Sequence, residues 1–259
     1  MDAQDTSPGR RIQAVQTSCE ILDALREVGG AGVSELAAET GYSKATVHSH
    51  LATLADNEFA VKRGDNYEVS LKFVDFGEYA KANVDIYELA KQEVEKLTSE
   101  TGEVCQFMVE EHGQGVYLYK SRGENAIHTA SYTGDRKDLH CTALGKAILS
   151  QLPRDRVEEI VDRRGLTEYT ENTIVSRERL YEELATIREE NVAFDDEETL
   201  EGLRCVAAPT TDREGNIYAA ISTAGPTSRF KGDRFRQELA DAVRSAANVI
   251  EVNATQVRR

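Results

Sequence analysis

Tryptophan is absent from the 259-residue sequence, cysteine and proline occur only four times each, and no apolar run reaches the roughly 18 residues that a membrane-spanning helix needs. Residues 1–11 are polar and lack the apolar segment of a secretion signal. The four cysteines form no CxxC pair, which disfavours a disulfide framework and a zinc cluster of typical spacing. These absences predict a cytoplasmic protein that does not associate with a membrane.

Positive charge is also scarce, because 31 basic side chains stand against 46 acidic ones and the net charge is -15. This balance excludes a broadly basic nucleic-acid coat, although a small DNA-reading module is still compatible with it. A large surplus of carboxylates is typical of proteins from high-salt organisms, so a halophilic archaeal source is expected. The content of hydrophobic residues, 40%, is typical of a globular chain with a buried core.

The first part of the chain has three helical patterns followed by a hairpin pattern, which is typical of a winged helix-turn-helix. The second helical pattern ends at Gly41, as expected of a C-terminal cap, and Ser43 is a typical N-cap for the third helix, which begins at Lys44. Two strand patterns joined by Gly64-Asp65-Asn66 predict the wing. Residues 10–72 are therefore predicted to be a DNA-binding domain.

Helix-turn-helix proteins read base edges with small polar residues near the start of the second helix of the motif, which is predicted here within about residues 33–54. Basic residues on the wing and on a preceding arm can contact phosphates. The predicted DNA-contacting residues are Arg10, Arg11, Ser43, Lys44, Ala45, Thr46, His48, Ser49, Lys62 and Arg63. Because residues 1–70 hold six basic and eleven acidic side chains, a winged helix used for protein contact is the alternative.

An apolar stripe of Phe73, Phe76 and Ala80 predicts a linker helix over residues 73–84. Burial of this stripe against a second copy would pair two DNA-reading domains. Strand and helix patterns then alternate through residues 85–254, which predicts an α+β sensor domain. The predicted strands are 104–109, 116–119, 126–130, 205–210 and 217–223, and the predicted helices are 85–101, 142–151, 154–163, 177–190 and 234–251.

Five sequence blocks in this second part resemble, in order, the characteristic blocks of the IclR family of transcription regulators. The most distinctive block has the pattern HxTAxGKAxL, and the resemblance, which includes the helix-turn-helix, covers roughly residues 11–252. The blocks are 139–149, 180–188, 194–198, 202–209 and 219–226.

The resemblance implies a winged-helix reader joined by a helix to a GAF-like α/β effector-binding domain. It implies a homodimer or homotetramer that binds double-stranded promoter DNA and a small-molecule effector. Such a protein acts as a repressor or activator, usually of catabolic genes, and is not an enzyme. No cofactor or metal is expected.

The resemblance also implies a set of effector-binding positions, at one of which Ala224 stands where the family commonly has Ser. The positions are Ala143, Leu144, Asp195, Cys205, Ser222 and Ala224. The residue types agree independently, because His140, Cys141 and Thr142 open a predicted helix whose free N–H groups attract an anion. Asp195 and Ser222 can hydrogen-bond to ligand hydroxyls. A small, hydroxylated carboxylate is therefore the expected effector.

Other functions that the sequence could support have weaker signals than DNA binding and effector binding. Gly145-Lys146 is not a phosphate-binding P-loop, because His140 and Ala147 stand where that motif needs Gly and Ser or Thr. A thiol- or zinc-based redox sensor and a GAF-like thiol enzyme stay open as alternatives, although no third orienting group and no tight ligand spacing is evident. The cysteines concerned are Cys105, Cys141 and Cys205.

Overall fold

The computed structural model describes residues 11–127 and 131–257, and the chain divides into two compact units at Asn83 and Val84. The predicted α+β class is confirmed: a winged helix-turn-helix forms the first unit, and a sheet with helices forms the second. Of the predicted basic arm, Arg11 is exposed and Arg10 lies outside the described residues. Among the helices described, none has the length and apolarity that a membrane span requires.

The first unit packs three helices around one apolar core, with a small antiparallel sheet in the strand order β1-β3-β2. Ile21, Leu36, Val47 and Leu51 are completely buried at its centre, as the helical spacing of these apolar residues requires. The elements are α1 (Gln13–Val28), β1 (Ala31–Gly32), α2 (Val33–Thr40), α3 (Lys44–Asp56), β2 (Ala60–Arg63) and β3 (Asn66–Val69).

The helix α4 (Lys72–Ala82) closes the first unit and occupies most of the stretch predicted as a linker. Phe73 and Phe76 contact the Phe59 ring, with centroid distances of 5.5 and 5.7 Å. Every residue of α4 is nevertheless at least partly exposed, and Tyr79 is 72% exposed. The helix thus presents an apolar surface to solvent. The linker range 73–84 and the domain bounds 10–72 and 85–254 stay predictions.

The second unit contains a six-stranded antiparallel sheet in the order β6-β5-β4-β9-β8-β7. Its strands are β4 (Val104–Glu111), β5 (Gln114–Arg122), β6 (Arg136–Lys137), β7 (Ala193–Asp196), β8 (Leu203–Thr211) and β9 (Ile217–Pro226). Its helices are α5 (Tyr87–Thr101), α6 (Ala143–Gln151), α7 (Arg154–Arg164), α8 (Arg177–Glu190) and α9 (Leu239–Val257), the last preceded by a π-helical turn at Arg234–Glu238.

Helices cover both faces of this sheet. Successive residues of a strand point to opposite faces, so they enter two different apolar cores. Phe107 and Ile221 belong to the core under α5 and α9. The neighbouring Met108 and Ala220 belong to the core under α6, α7 and α8. The central strands β8 and β9 therefore have nearly continuous runs of apolar residues in the sequence.

Some element predictions are wrong in detail. Ala126 and Ile127 are not in a strand, and the rest of the predicted strand 126–130 lies outside the described residues. The short strands β1, β6 and β7 were not predicted, because two residues show no period and β7 ends in two aspartates. The helix predicted from residue 142 begins at Ala143, because Thr142 is its N-cap.

Candidate functional site

The start of α3 forms an exposed polar surface. Ser43 caps the helix, because its Oγ accepts a hydrogen bond from the Thr46 N–H at 3.1 Å. Gly41, with a φ of 72°, ends α2 in the left-handed conformation typical of a helix C-terminus. Both capping predictions are confirmed. Of the predicted DNA-contacting residues on this helix, Thr46 is half-buried and the others are exposed. The exposed residues are Lys44, Ala45, His48 and Ser49.

The wing adds a second exposed basic surface. Lys62 and Arg63 both lie on β2, but Arg63 Nε is 2.9 Å from Glu68 Oε2 across the hairpin. This ion pair partly neutralises the guanidinium that was predicted to contact phosphate. A groove of about 450 Å³ is lined by both Lys62 and His48, so the structure brings these two candidates together. Their contact with DNA stays a prediction.

A cavity of about 220 Å³ lies in the second unit between the start of α6 and the sheet. This volume is below the roughly 300 Å³ at which drug-sized pockets begin, so it suits a small metabolite. Its lining brings together six predicted effector residues: Ala143, Leu144, Asp195, Cys205, Ser222 and Ala224. Thr142, which was predicted as part of the helix start that attracts an anion, also lines the cavity. Sequence reasoning did not assign the other lining residues to the site: Gln106, Tyr117, Ser131, Lys137, Thr199, Leu200 and Leu203.

The strand register explains why distant sequence blocks meet at this cavity. In one row of the sheet Asp195 of β7 pairs with Cys205 of β8, and Cys205 pairs with Ala224 of β9. In a second row Ser222 of β9 pairs with Gln106 of β4. Because residues two apart on a strand face the same side, the two rows together form the pocket wall. Gln106 had one signal in the sequence, since it interrupts an apolar strand.

Asp195 is the acidic group of the pocket wall and is only 2% exposed. Its Oδ1 accepts a hydrogen bond from the Glu198 N–H at 2.8 Å, and its Oδ2 lies 2.9 Å from Thr199 Oγ1. Thr199 Oγ1 also lies 3.0 Å from the Cys141 carbonyl oxygen. A hydroxyl has one proton, so both contacts are satisfied when a protonated Asp195 donates to Thr199 and Thr199 donates to Cys141. Burial raises the pKa of Asp195 to about 6, so this arrangement forms as the pH falls below about 6, whereas at neutral pH the ionised carboxylate accepts from Thr199.

The start of α6 is the helix end that was expected to attract an anion. Thr142 Oγ1 accepts a hydrogen bond from the Gly145 N–H at 2.9 Å, so one N–H group of the first turn is already bonded within the protein. Gly145 is required for packing, because a Cβ there would lie 2.2 Å from the Leu139 carbonyl oxygen. The glycine of the GKA segment therefore serves a close backbone crossing.

His140 and Cys141 are buried just before α6 and face partners outside the cavity. His140 Nε2 is 3.0 Å from the Thr167 carbonyl oxygen. The Cys141 thiol donates to the Asp138 carbonyl oxygen at 3.5 Å. The structure thus separates these two candidates from the six that line the cavity, and their predicted role in effector binding is untested.

Two lysines lie toward the opposite edge of the sheet. Lys137 of β6 lines the cavity, and its Nζ is 3.3 Å from Asp135 Oδ2. Lys120 of β5 donates to Ser131 Oγ at 2.8 Å, and the same oxygen accepts from Gln106 Nε2 at 2.9 Å. Burial lowers the pKa of Lys120 to about 8. The wall around the cavity therefore combines a cationic side with an acidic and hydroxyl-bearing side.

Three of the four cysteines, Cys105, Cys141 and Cys205, have the properties of small apolar residues, whereas Cys19 is exposed. Burial raises the pKa of Cys141 to about 12 and also raises the pKa of Cys105 and Cys205, so all three thiols stay protonated at neutral pH. A protonated thiol is a poor nucleophile and a poor metal ligand. Within residues 11–127 and 131–257, His, Cys, Asp and Glu side chains form no group of three or more that could hold a metal ion. These observations give the thiol and zinc alternatives no support.

Two family models match the chain. Residues 79–252 match the bacterial transcriptional regulator IclR C-terminal domain. Residues 14–64 match the IclR helix-turn-helix domain. Together they span the two structural units.

Curated relatives and solved structures agree with these matches. The chain is 33% identical over 255 residues to the probable HTH-type transcriptional regulator ArcR of Halobacterium salinarum, with 97% of each chain covered, which supports the expected halophilic archaeal source. It is 33% identical over 222 residues to KdgR of Escherichia coli, covering 85% of this chain and 84% of the relative. The crystal structure of Thermotoga maritima IclR superposes with a TM-score of 0.77 at 27% identity, covering 95% of this chain and 99% of that one.

Proposed function

Because the chain belongs to the IclR family of transcriptional regulators, we propose that it switches the expression of catabolic genes in response to a small hydroxylated carboxylate. Membership of this family also confirms that the protein is a regulator rather than an enzyme. The first unit binds promoter DNA, and the cavity of the second unit binds the effector. DNA binding makes the cytoplasm the expected site of action.

The observation that carries the effector class is the division of the cavity wall into two kinds of polar group. Lys137 offers an ammonium to a carboxylate, and the N–H groups of Ala143 and Leu144 at the start of α6 add to the positive potential. Asp195 and Ser222 offer acceptors and a donor to hydroxyl groups. A ligand that carries a carboxylate and hydroxyls can pair with groups on both sides of the cavity, whereas an apolar ligand pairs with none of them.

The DNA-reading role rests on the exposed polar face of α3 and on the wing. Lys44 lies in the first turn of α3, where helix-turn-helix proteins contact phosphates and base edges. Lys62 and Arg63 on β2 are the proposed phosphate contacts beside it. We further propose a homodimer or homotetramer in which the exposed apolar surface of α4 packs against a second copy, because paired reading domains match palindromic DNA sites.

Thermal melting with a matched set of three-carbon compounds tests the effector class. Glycerate, which has a carboxylate and two hydroxyls, should raise the melting temperature of the wild type in molar KCl. Glycerol, which lacks the carboxylate, and propionate, which lacks the hydroxyls, should raise it much less at the same concentration. Gluconate tests whether a longer chain of the same chemistry fits better. If the carboxylates and the neutral compounds give the same shift, the proposed effector class is wrong.

Two serine variants test whether the carboxylate binds in this cavity. Ser222 lines the cavity, whereas Ser150 is an equally buried serine of α6 whose Oγ bonds the Ala147 carbonyl oxygen at 2.8 Å. Losing one neutral hydrogen bond costs about 1 kcal/mol, so Ser222→Ala should weaken carboxylate binding about five-fold. Ser150→Ala should lower the melting temperature of the free protein without changing the affinity.

A further inference from the structure

Lys146 is a buried cation that sits beside the pocket without lining it. It lies one turn into α6 and is only 1% exposed. Its Nζ bonds Glu198 Oε1 and lies 3.1 Å from Glu183 Oε1 on α8. Burying an ammonium is unfavourable unless carboxylates compensate it, so this group is held in place by its two partners.

The partner Glu198 belongs to the turn between β7 and β8 that carries part of the pocket wall. Thr199 and Leu200 of this turn line the cavity, and Leu200 is 58% exposed. Glu197 has a φ of 66°, a left-handed conformation that is costly for a residue other than glycine. A strained turn keeps one shape only where the surrounding structure fixes it.

The contacts that fix the turn come from two sides, the segment of residues 170–173 and the helix α6. The Thr170 and Thr173 hydroxyls each donate at 2.6 Å, to the carbonyl oxygens of Glu197 and Glu198 respectively. Lys146 holds the Glu198 side chain from α6. The contact between Lys146 and Glu198 joins the turn to α6, and the first residues of α6 line the cavity.

We propose that Lys146 is a positioning residue for the effector pocket. Its buried ammonium holds Glu198 and thereby fixes the turn of residues 197–199, and this turn sets the orientation of Asp195. The link to Asp195 is direct, because the Glu198 N–H donates to one carboxyl oxygen and Thr199 lies against the other. This role rests on the proposed function, since it concerns the same cavity. An apolar pair would fill the same space but would not fix the direction of the Glu198 amide.

The charged groups described around Lys146 are carboxylates. Glu198 and Asp195 approach from β7 and its turn, and Glu183 approaches from α8. Burial raises the pKa of Glu198 to about 7, although the neighbouring ammonium opposes this change. Loss of the ammonium would therefore leave Glu198 protonated or drawn toward solvent, and either outcome loosens the turn.

Amide hydrogen exchange of the ligand-free protein, followed by peptide mass spectrometry at neutral pH in molar KCl, tests the proposal. Lys146→Met should raise the exchange rate of the amides at residues 197–202 at least about tenfold, while the amides of α7 change little. Lys146→Arg, which keeps the charge, should restore most of the protection. If Lys146→Met does not fold, Glu198→Gln serves in its place and should raise the same rates by a smaller factor.

The matched control removes the partner of another buried carboxylate. Glu103 is completely buried and its oxygens pair with Arg229 at 2.7 Å, outside the cavity. Arg229→Met should therefore leave the exchange of residues 197–202 near the wild-type rate. The proposal fails if the turn stays protected in the Lys146 and Glu198 variants, or if Arg229→Met loosens the turn equally. Because no ligand is present, a failure of glycerate to bind would count against the proposed function and would not affect this result.

Discussion

The replacement Asp195→Asn should make the protein less sensitive to pH. Asn has nearly the shape of a protonated Asp, with Oδ1 free to accept from the Glu198 N–H and an amide N–H able to donate to Thr199 Oγ1. The variant therefore keeps the hydrogen bonds that the protonated carboxyl makes in the wild type. It removes only the ability to ionise inside the pocket wall.

The magnitude follows from the pKa of Asp195, which burial raises from an ordinary value of 3.8 to about 6. A carboxyl whose pKa is raised on folding contributes its full stability below the pKa of the unfolded chain. That contribution is lost as the pH rises through the pKa of the folded protein. Between pH 4 and pH 7 the free energy of unfolding of the wild type should thus fall by about 2 kcal/mol relative to that of Asp195→Asn.

Urea unfolding of both proteins, followed by circular dichroism at a series of pH values in molar KCl, measures this difference. Burial raises the pKa of Glu198 to about 7 and the charge of Asp195 adds to this shift, so the same comparison is repeated with Glu198→Gln in both chains to remove its titration. The exposed Asp155→Asn is the control and should show no comparable trend. A wild-type-minus-variant difference that is constant from pH 4 to pH 7, or that grows in favour of the wild type, would refute the reasoning.

Two further predictions concern the first unit. Replacing Lys44 and Arg63 together with Ala should weaken binding to a promoter fragment and reduce the salt slope of the affinity by about two, because each removes one phosphate contact. Fluorescence anisotropy across KCl concentrations measures the DNA affinity and its salt slope. Arg26→Ala, at another exposed arginine, is the control. An unchanged affinity of the Lys44 and Arg63 double variant would rule out the predicted DNA-binding surface. Tyr79→Asp on α4 should shift the oligomer toward monomer in light scattering, whereas Val15→Asp on α1, also exposed, should not. An unchanged mass for the Tyr79 variant would show that this face is not the interface.

The winged helix could be predicted almost completely because its signals are local. Ser43 caps the helix that follows it, and Gly41 adopts the left-handed conformation where the preceding helix ends. The wing turn follows from Gly64 and Asp65 between two short strands. Each of these features depends on residues within a few positions of one another, so one sequence suffices to find them.

The pocket was only partly predictable because its members meet through sheet register. The resemblance supplied Asp195, Cys205 and Ser222 as members of one site, and strand pairing accounts for their meeting. Separate reasoning, from the free N–H groups at the start of a helix, placed His140 and Cys141 in the site, although both face partners outside the cavity. Position before a helix does not determine whether a side chain points toward a ligand or into the protein.

The charged groups around the pocket were the hardest to predict. Lys146 appeared in the sequence only within the HxTAxGKAxL block and as part of a rejected phosphate-binding motif. Its two carboxylate partners lie 37 and 52 positions away in the chain. Lys137 lies on a strand of two residues that has no periodic signal. Such long-range pairings depend on the assembled fold, so composition and spacing do not reveal them.

The central claim is that a carboxylate bound in the second unit changes the DNA affinity of the first. The most direct measurement is the anisotropy of a labelled promoter fragment, recovered by chromatin immunoprecipitation, titrated with the protein with and without glycerate or gluconate. Coupling between two sites typically changes affinity about 5- to 150-fold, so a shift in this range is expected for the wild type, and Ser222→Ala should need several-fold more carboxylate to produce it. Equal DNA affinity with and without either carboxylate, or an unchanged carboxylate dependence in Ser222→Ala, would contradict the account.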